Sequence, residues 1–234
     1  PQYSKGRVYV LPGPLGFGQT ITIPQQTVLI FDGQMDDAHL GAYLDSGDLN
    51  GDGYDDIAIG AWGIGATYVY LGSQSITGTS SMTLTMTSDN AALTVRSASG
   101  GIIICNINGD HYDDLFLQDY FVRNDYQVNG ILGTSKLSMT NPLTIDLQID
   151  HTTLTIKGTD LGSVSEPLPG NMGCGDIDGD GYDDLIIGLF EKVYVIRGSS
   201  EITSSMPITI EMPSQASLII NGIDGSIDGD EGDR

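Results

Sequence analysis

Asp48-Leu49-Asn50-Gly51-Asp52-Gly53-Tyr54-Asp55-Asp56 and Asp176-Ile177-Asp178-Gly179-Asp180-Gly181-Tyr182-Asp183-Asp184 are one nine-residue pattern written twice. Acidic or amide side chains at places one, three and five, a glycine at place six and a carboxylate at place nine can turn several oxygens toward one point, as a hard cation such as Ca2+ requires. The predicted ligands are the side chains of Asp48, Asn50, Asp52 and Asp56 in the first loop and of Asp176, Asp178, Asp180 and Asp184 in the last. Each set is joined by the backbone carbonyl of the tyrosine at place seven, Tyr54 or Tyr182. Ile57-Ala58-Ile59-Gly60 and Leu185-Ile186-Ile187-Gly188 follow, short and ending in glycine. They read as strands, and with no glutamate at place twelve they exclude an EF-hand and its exit helix.

Between these loops lies a weakened copy, Asn106-Ile107-Asn108-Gly109-Asp110-His111-Tyr112-Asp113-Asp114, followed by Leu115-Phe116-Leu117. Its predicted ligands are Asn106, Asn108, Asp110 and Asp114 with the carbonyl of Tyr112. His111 replaces the glycine at place six, where a positive φ is expected that a side chain tolerates poorly. The four side-chain places hold four carboxylates in the last loop, three in the first and two in the middle. Two strong calcium sites and one weaker site are expected, in that order of affinity.

The repetition extends well beyond the loops. A short apolar segment precedes each loop, as in His39-Leu40-Gly41-Ala42-Tyr43-Leu44 and Gly101-Ile102-Ile103-Ile104-Cys105, and a strand follows it. A third run comes next: Ala66 to Ser73, Tyr126 to Gly133, Lys192 to Ser199. A fourth run is anchored by Leu29, Leu93, Leu154 and Leu218, which stand 64, 61 and 64 residues apart. Four strands per unit, with the metal loop joining the first two, describe one blade of a β-propeller. The fold class is therefore all-β, built of four-stranded antiparallel blades. Residues 1–33 form an N-terminal half blade and 34–100, 101–160 and 161–222 three full blades, so that 1–225 is propeller-like and 223–234 an acidic tail or linker.

These residues resemble the FG-GAP repeats of the integrin α-chain N-terminal propeller, named for a Phe-Gly pair before the calcium loop and a Gly-Ala-Pro after it. Leu40-Gly41 and Gly60-Ala61-Trp62 occupy those places in the first unit, Gly188-Leu189-Phe190 keeps the glycine in the third, and Leu117-Gln118-Asp119 departs from the pattern in the middle. The resemblance implies structural calcium on one face of a propeller in an extracellular or cell-surface adhesion or recognition module. It also implies a ring of roughly seven blades, of which this sequence supplies about half. Completion by a longer polypeptide or by neighbouring copies is expected, because open sheet faces and edges are avoided in soluble proteins.

Composition narrows the function further. The 234 residues are 39% hydrophobic and rich in glycine, enough for a core and many turns, and their formal charge is −22. Three calcium ions would leave it near −16, so nucleic acid and anionic membrane surfaces are excluded as partners. No run is long enough for a membrane span, and no Asn-x-Ser/Thr sequon occurs. The expected partners are a protein or glycan ligand, or copies of the chain itself.

The remaining chemistry-bearing residues form no catalytic set. His39, His111 and His151 are scattered, without a repeated nucleophile or carboxylate beside them, and no enzyme activity is expected of the chain. Trp62, the single tryptophan, is expected to pack between blades rather than to stack on a sugar. Cys105 and Cys174 stand one place out of register relative to their loops. If successive side chains point to opposite faces, two buried thiols are expected in preference to a disulfide. The tail from Asp224 to Asp233 has the composition of a metal loop but not its spacing. The leading expectation is a calcium-stabilised, non-catalytic module for adhesion, recognition or assembly. The alternative is an accessory propeller of a secreted hydrolase such as a phospholipase, with its catalytic domain elsewhere.

Overall fold

The structure, a computed structural model, describes residues 4–11, 13, 20, 22–23, 27–76, 82–98, 100–119, 127–147, 149–150, 152–157, 172–189, 192–205 and 207–221. His151, Phe190 and the acidic tail lie outside them. Among these residues an incomplete first blade contributes β1 (Arg7–Val10) and β2 (Leu29–Gly33). The first full blade is β3 (Leu40–Gly47), β4 (Asp56–Ala61), β5 (Ala66–Tyr70) and β7 (Leu93–Arg96). The second is β8 (Ile102–Cys105), β9 (Asp114–Asp119), β10 (Gln127–Ile131) and β12 (Leu154–Lys157), and the third is β13 (Met172–Gly175), β14 (Asp184–Leu189), β15 (Lys192–Ile196) and β17 (Leu218–Asn221). Each set pairs antiparallel in that order, as expected of a blade.

Three further strands depart from the four-stranded expectation. β6 (Met82–Met86), β11 (Leu143–Asp146) and β16 (Ile208–Glu211) each leave their own unit after its third strand and add, in parallel, to the outer edge of the preceding blade: β6 on β2, β11 on β7, β16 on β12. The chain then returns to lay down its own outer strand. All three carry apolar residues alternating with threonine, Met82-Thr83-Leu84-Thr85, Leu143-Thr144-Ile145 and Ile208-Thr209-Ile210, a period that suits a half-covered strand. Their fourth places face Asp32, Arg96 and Lys157. Lys157 pairs with Glu211 at 3.2 Å.

The core consists of layers between blades. Along β4, Ile59 and Ala61 pack toward the incomplete blade, whereas Ala58 packs with Val69, Leu93 and Val95 against Ile102, Ile104, Leu115 and Leu117 of the second blade. The other face of the second blade offers Phe116, Val128, Leu154 and Ile156 to Leu185, Ile187, Tyr194 and Ile196 of the third. Period-two alternation thus makes both faces of an internal blade apolar.

That stacking corrects the parity argument for the cysteines but not its outcome, free thiols. Both are free, Cys105 buried and Cys174 half-buried. Their sulfurs nevertheless lie within 4.8 Å of each other, beside Asp183. Blades stack front to back, so side chains of opposite parity on neighbouring blades face each other. The one-place offset brings the two thiols together. A hydrogen bond with Cys174, followed by burial, pushes the Cys105 thiol far above its ordinary range.

Candidate metal centre

Each loop spans the turn from the first to the second strand of its blade. In the first, both oxygens of Asp48 are held by the loop backbone: Oδ1 accepts from Gly51 N (2.8 Å) and Asp52 N (3.0 Å), and Oδ2 from Gly53 N (2.8 Å). The last loop repeats this at Asp176, which accepts from Gly179 N (2.7 Å), Asp180 N (3.0 Å) and Gly181 N (3.0 Å). Gly53 and Gly181 reach these bonds at φ 86° and 91°, a region that glycine enters without steric cost. The third and fifth places are fixed similarly. Asn50, Asn108 and Asp178 accept the amide of place five, and Asp52, Asp110 and Asp180 accept that of the tyrosine, Tyr54, Tyr112 or Tyr182.

The aspartate at place nine is a buckle. Asp56, Asp114 and Asp184 are buried, and each accepts two amides, one from place two of its loop and one from the glycine after the third strand. The donors are Leu49 and Gly72 for Asp56, Ile107 and Gly133 for Asp114, and Ile177 and Gly198 for Asp184, at 2.8–3.1 Å. Burial pushes the Asp56 carboxyl up to about 7 against those amides, with Asp52 and Asp48 adding to the rise. Burial likewise lifts Asp114 to about 7.

The donor chemistry fits a hard cation. Carboxylate oxygens of Asp176, Asp178 and Asp184 lie within 4.8 Å of one another, and three negative groups so placed repel unless a cation sits among them. Asn106 Oδ1 is buried without a hydrogen-bond partner, an acceptor that a cation would satisfy. In the last loop Asp178 also meets Arg197 at 2.5 Å, so its extra carboxylate is partly neutralised by the protein itself.

The middle loop differs from its expected shape. Positive φ among non-glycine residues is confined, within the described residues, to Asp37, His39 and Ser97, and His111 is not among them. The Cβ of histidine disfavours the left-handed turn, so no amide at place six meets the first-place side chain. Asn106 instead donates from Nδ2 to the carbonyl of Asp110 at 2.7 Å.

Sequence reasoning missed the contacts between successive loops. Asp113 Oδ2 accepts from Asp48 N (2.8 Å) while Asp113 N donates to Asp48 O (3.0 Å). Asp183 makes the same pair with Asn106, at 3.0 and 3.1 Å. Thr134 N and Ser199 N then reach the carbonyls of Leu49 and Ile107, both at 2.8 Å. The tyrosine rings complete the staple: a Cβ at Gly51 would fall 2.7 Å from the Tyr112 ring, and one at Gly109 would fall 2.6 Å from the Tyr182 ring. The signal was present in the sequence, since Tyr and Asp at places seven and eight occur in all three loops.

At the opposite end of the blades, Trp62 occupies a short 3-10 turn between β4 and β5. It is half-buried, with its ring 5.4 Å from that of His39 on the segment joining β2 to β3. The two rings line a cavity of about 890 Å³. Trp62 thus packs against the entry to β3 and lines this cavity, rather than joining the apolar layer between the blades.

Residues 41–71, which run from β3 through the first loop to β5, match the family model described as FG-GAP repeat. The all-β architecture of four mostly antiparallel sheets agrees with the integrin-type propeller reading of that repeat. A search of curated proteins found no match. No helix among the described residues is long and apolar enough to cross a membrane.

Proposed function

We propose that this chain is a calcium-braced, non-catalytic propeller module that works outside the cell or at its surface in recognition, adhesion or structural assembly. The observation that carries this reading is the succession of three like loops, the last converging three carboxylates and the second and third each stapled through place eight to the loop before it. Calcium held by the fifteen predicted ligands would neutralise the carboxylates and stiffen one face of the stack. A rigid face lowers the ordering cost of binding a partner at the loops.

Both ends of the stack support continuation into further blades, from a longer polypeptide or from neighbouring copies. Leu218 and Ile220 on β17 are 49% and 52% exposed, whereas their equivalents Leu154 and Ile156 are fully buried by the next blade. Leu44 is 49% exposed where its equivalent Ile102 is 9%. Tyr54 and Asp55 are also exposed and have no loop against them among the described residues. Calcium-dependent retention on immobilised glycans, matrix proteins and the chain itself, run beside assays for ester, glycoside and phosphodiester hydrolysis, tests the proposal. Calcium-dependent binding without turnover is expected. Turnover abolished by mutating a residue outside the loops would overturn it.

A further inference from the structure

We infer that the cavity beside Trp62, at the end of the first full blade and lined also by Asp146 of β11, is a binding site for a neutral saccharide, with Trp62 as its stacking platform. The site rests on the recognition reading above but is distinct from the metal loops, which lie at the other end of the blades.

Three observations converge on this cavity. First, its wall is built at conformational cost. Asp37, His39 and Ser97 have φ of 58°, 51° and 64° and are the only non-glycine residues with positive φ among those described; all three line it. Such backbone clusters at functional sites.

Second, the wall is fixed in advance. Gly63 N donates to Ala38 O at 3.1 Å, and a Cβ on Gly63 would collide with the carbonyl of Asp37, so only glycine lets the two segments close. Gly65 N bonds Trp62 O and Ala98 N bonds Gly65 O, both at 3.2 Å. Third, Thr94 is among the lining residues, is 2% exposed, and its buried Oγ1 makes no hydrogen bond.

The lining chemistry selects the ligand class. The Trp62 and His39 rings offer apolar faces tilted at 60°, suited to the C–H face of a sugar ring. Around them stand both acceptors and donors: the carboxylates of Asp37 and Asp146, the guanidinium of Arg96 and the hydroxyl of Ser97, which donates to Asp146 Oδ1 at 3.0 Å. Hydroxyl groups that donate and accept at once match this mixture. An anion would meet the two carboxylates and a formal chain charge of −22, and a cation would meet Arg96. A volume of about 890 Å³ admits more than one sugar ring.

Trp62 is the sole tryptophan, so its fluorescence reports on this site alone. The full chain in calcium would be titrated with neutral oligosaccharides of glucose, galactose, mannose and N-acetylglucosamine, with choline and sulfated oligosaccharides as controls. A saturable change for at least one neutral saccharide is expected. By calorimetry, Trp62→Ala should weaken binding at least tenfold, Trp62→Phe should restore part of it, and the exposed Arg96→Ala should weaken it several-fold. No binding of any neutral saccharide, preference for the charged controls, or affinity unchanged in both Trp62→Ala and Arg96→Ala would overturn the site. Melting with and without calcium on the same samples separates this outcome from failure of the calcium-braced reading, because an intact, calcium-responsive chain that ignores saccharides sinks only the site.

Discussion

At the scale of the residue, one side-chain type does two unlike jobs within nine positions. Aspartates and asparagines at places one, three and five mostly accept amides within the loop, while the aspartates at place nine, and at place eight in the two later loops, tie the loop to the third strand or to the preceding loop. Losing one such acceptor leaves a buried donor, at about 1–3 kcal/mol. Asp113 and Asp183 accept the amide of the preceding loop, whereas Asp55 is exposed and has no such partner among the described residues. Asp113→Ala and Asp183→Ala should each cost about 1–3 kcal/mol in urea unfolding, and Asp55→Ala within about 0.5 kcal/mol, as for an ordinary surface change. Equal effects at all three positions would show that the staple contributes nothing. The repeated loop was legible in the sequence because its residues lie within one unit, although place nine was read only as a metal ligand and not as the acceptor of two amides. The staple was not, because place eight is read only against the neighbouring loop.

Among elements, the unexpected device is the strand that each unit lends to the blade before it. Ile208 N donates to Thr153 O at 2.8 Å and Met212 N to Lys157 O at 2.7 Å. Alternation along the strand therefore turns the amide of Ile210 toward β12 and that of Thr209 away from it. Ile210→Pro should remove a ladder bond and destabilise the chain by about 1–3 kcal/mol, while Thr209→Pro should cost clearly less; denaturant midpoints of the two variants decide this. The blade strands were readable from short β-branched runs at a regular spacing. The lent strands were harder to see, because their apolar-threonine alternation lies in segments otherwise rich in serine and threonine, and nothing local says which edge they join. The cysteines show the same limit: parity within a strand is local, but facing across two blades depends on how the blades stack.

For the whole molecule, apolar layers hold neighbouring blades together at their middles, and at the loop end the staples link one acidic loop to the next. Those loops concentrate carboxylates on a chain of formal charge −22, so without a cation the loop end works against the layers. Two sites each occupied at a hundred times their dissociation constants would add about 5 kcal/mol, worth roughly 10 °C or more in a chain of this length. Asp180→Ala, in the loop richest in carboxylates, should forfeit more of that gain than Asp110→Ala in the reshaped middle loop. Thermal melting of the full chain in millimolar calcium and in excess chelator tests the central claim most directly. The account predicts a melting temperature higher by about 10 °C or more in calcium, and an identical melting temperature in the two conditions would contradict it.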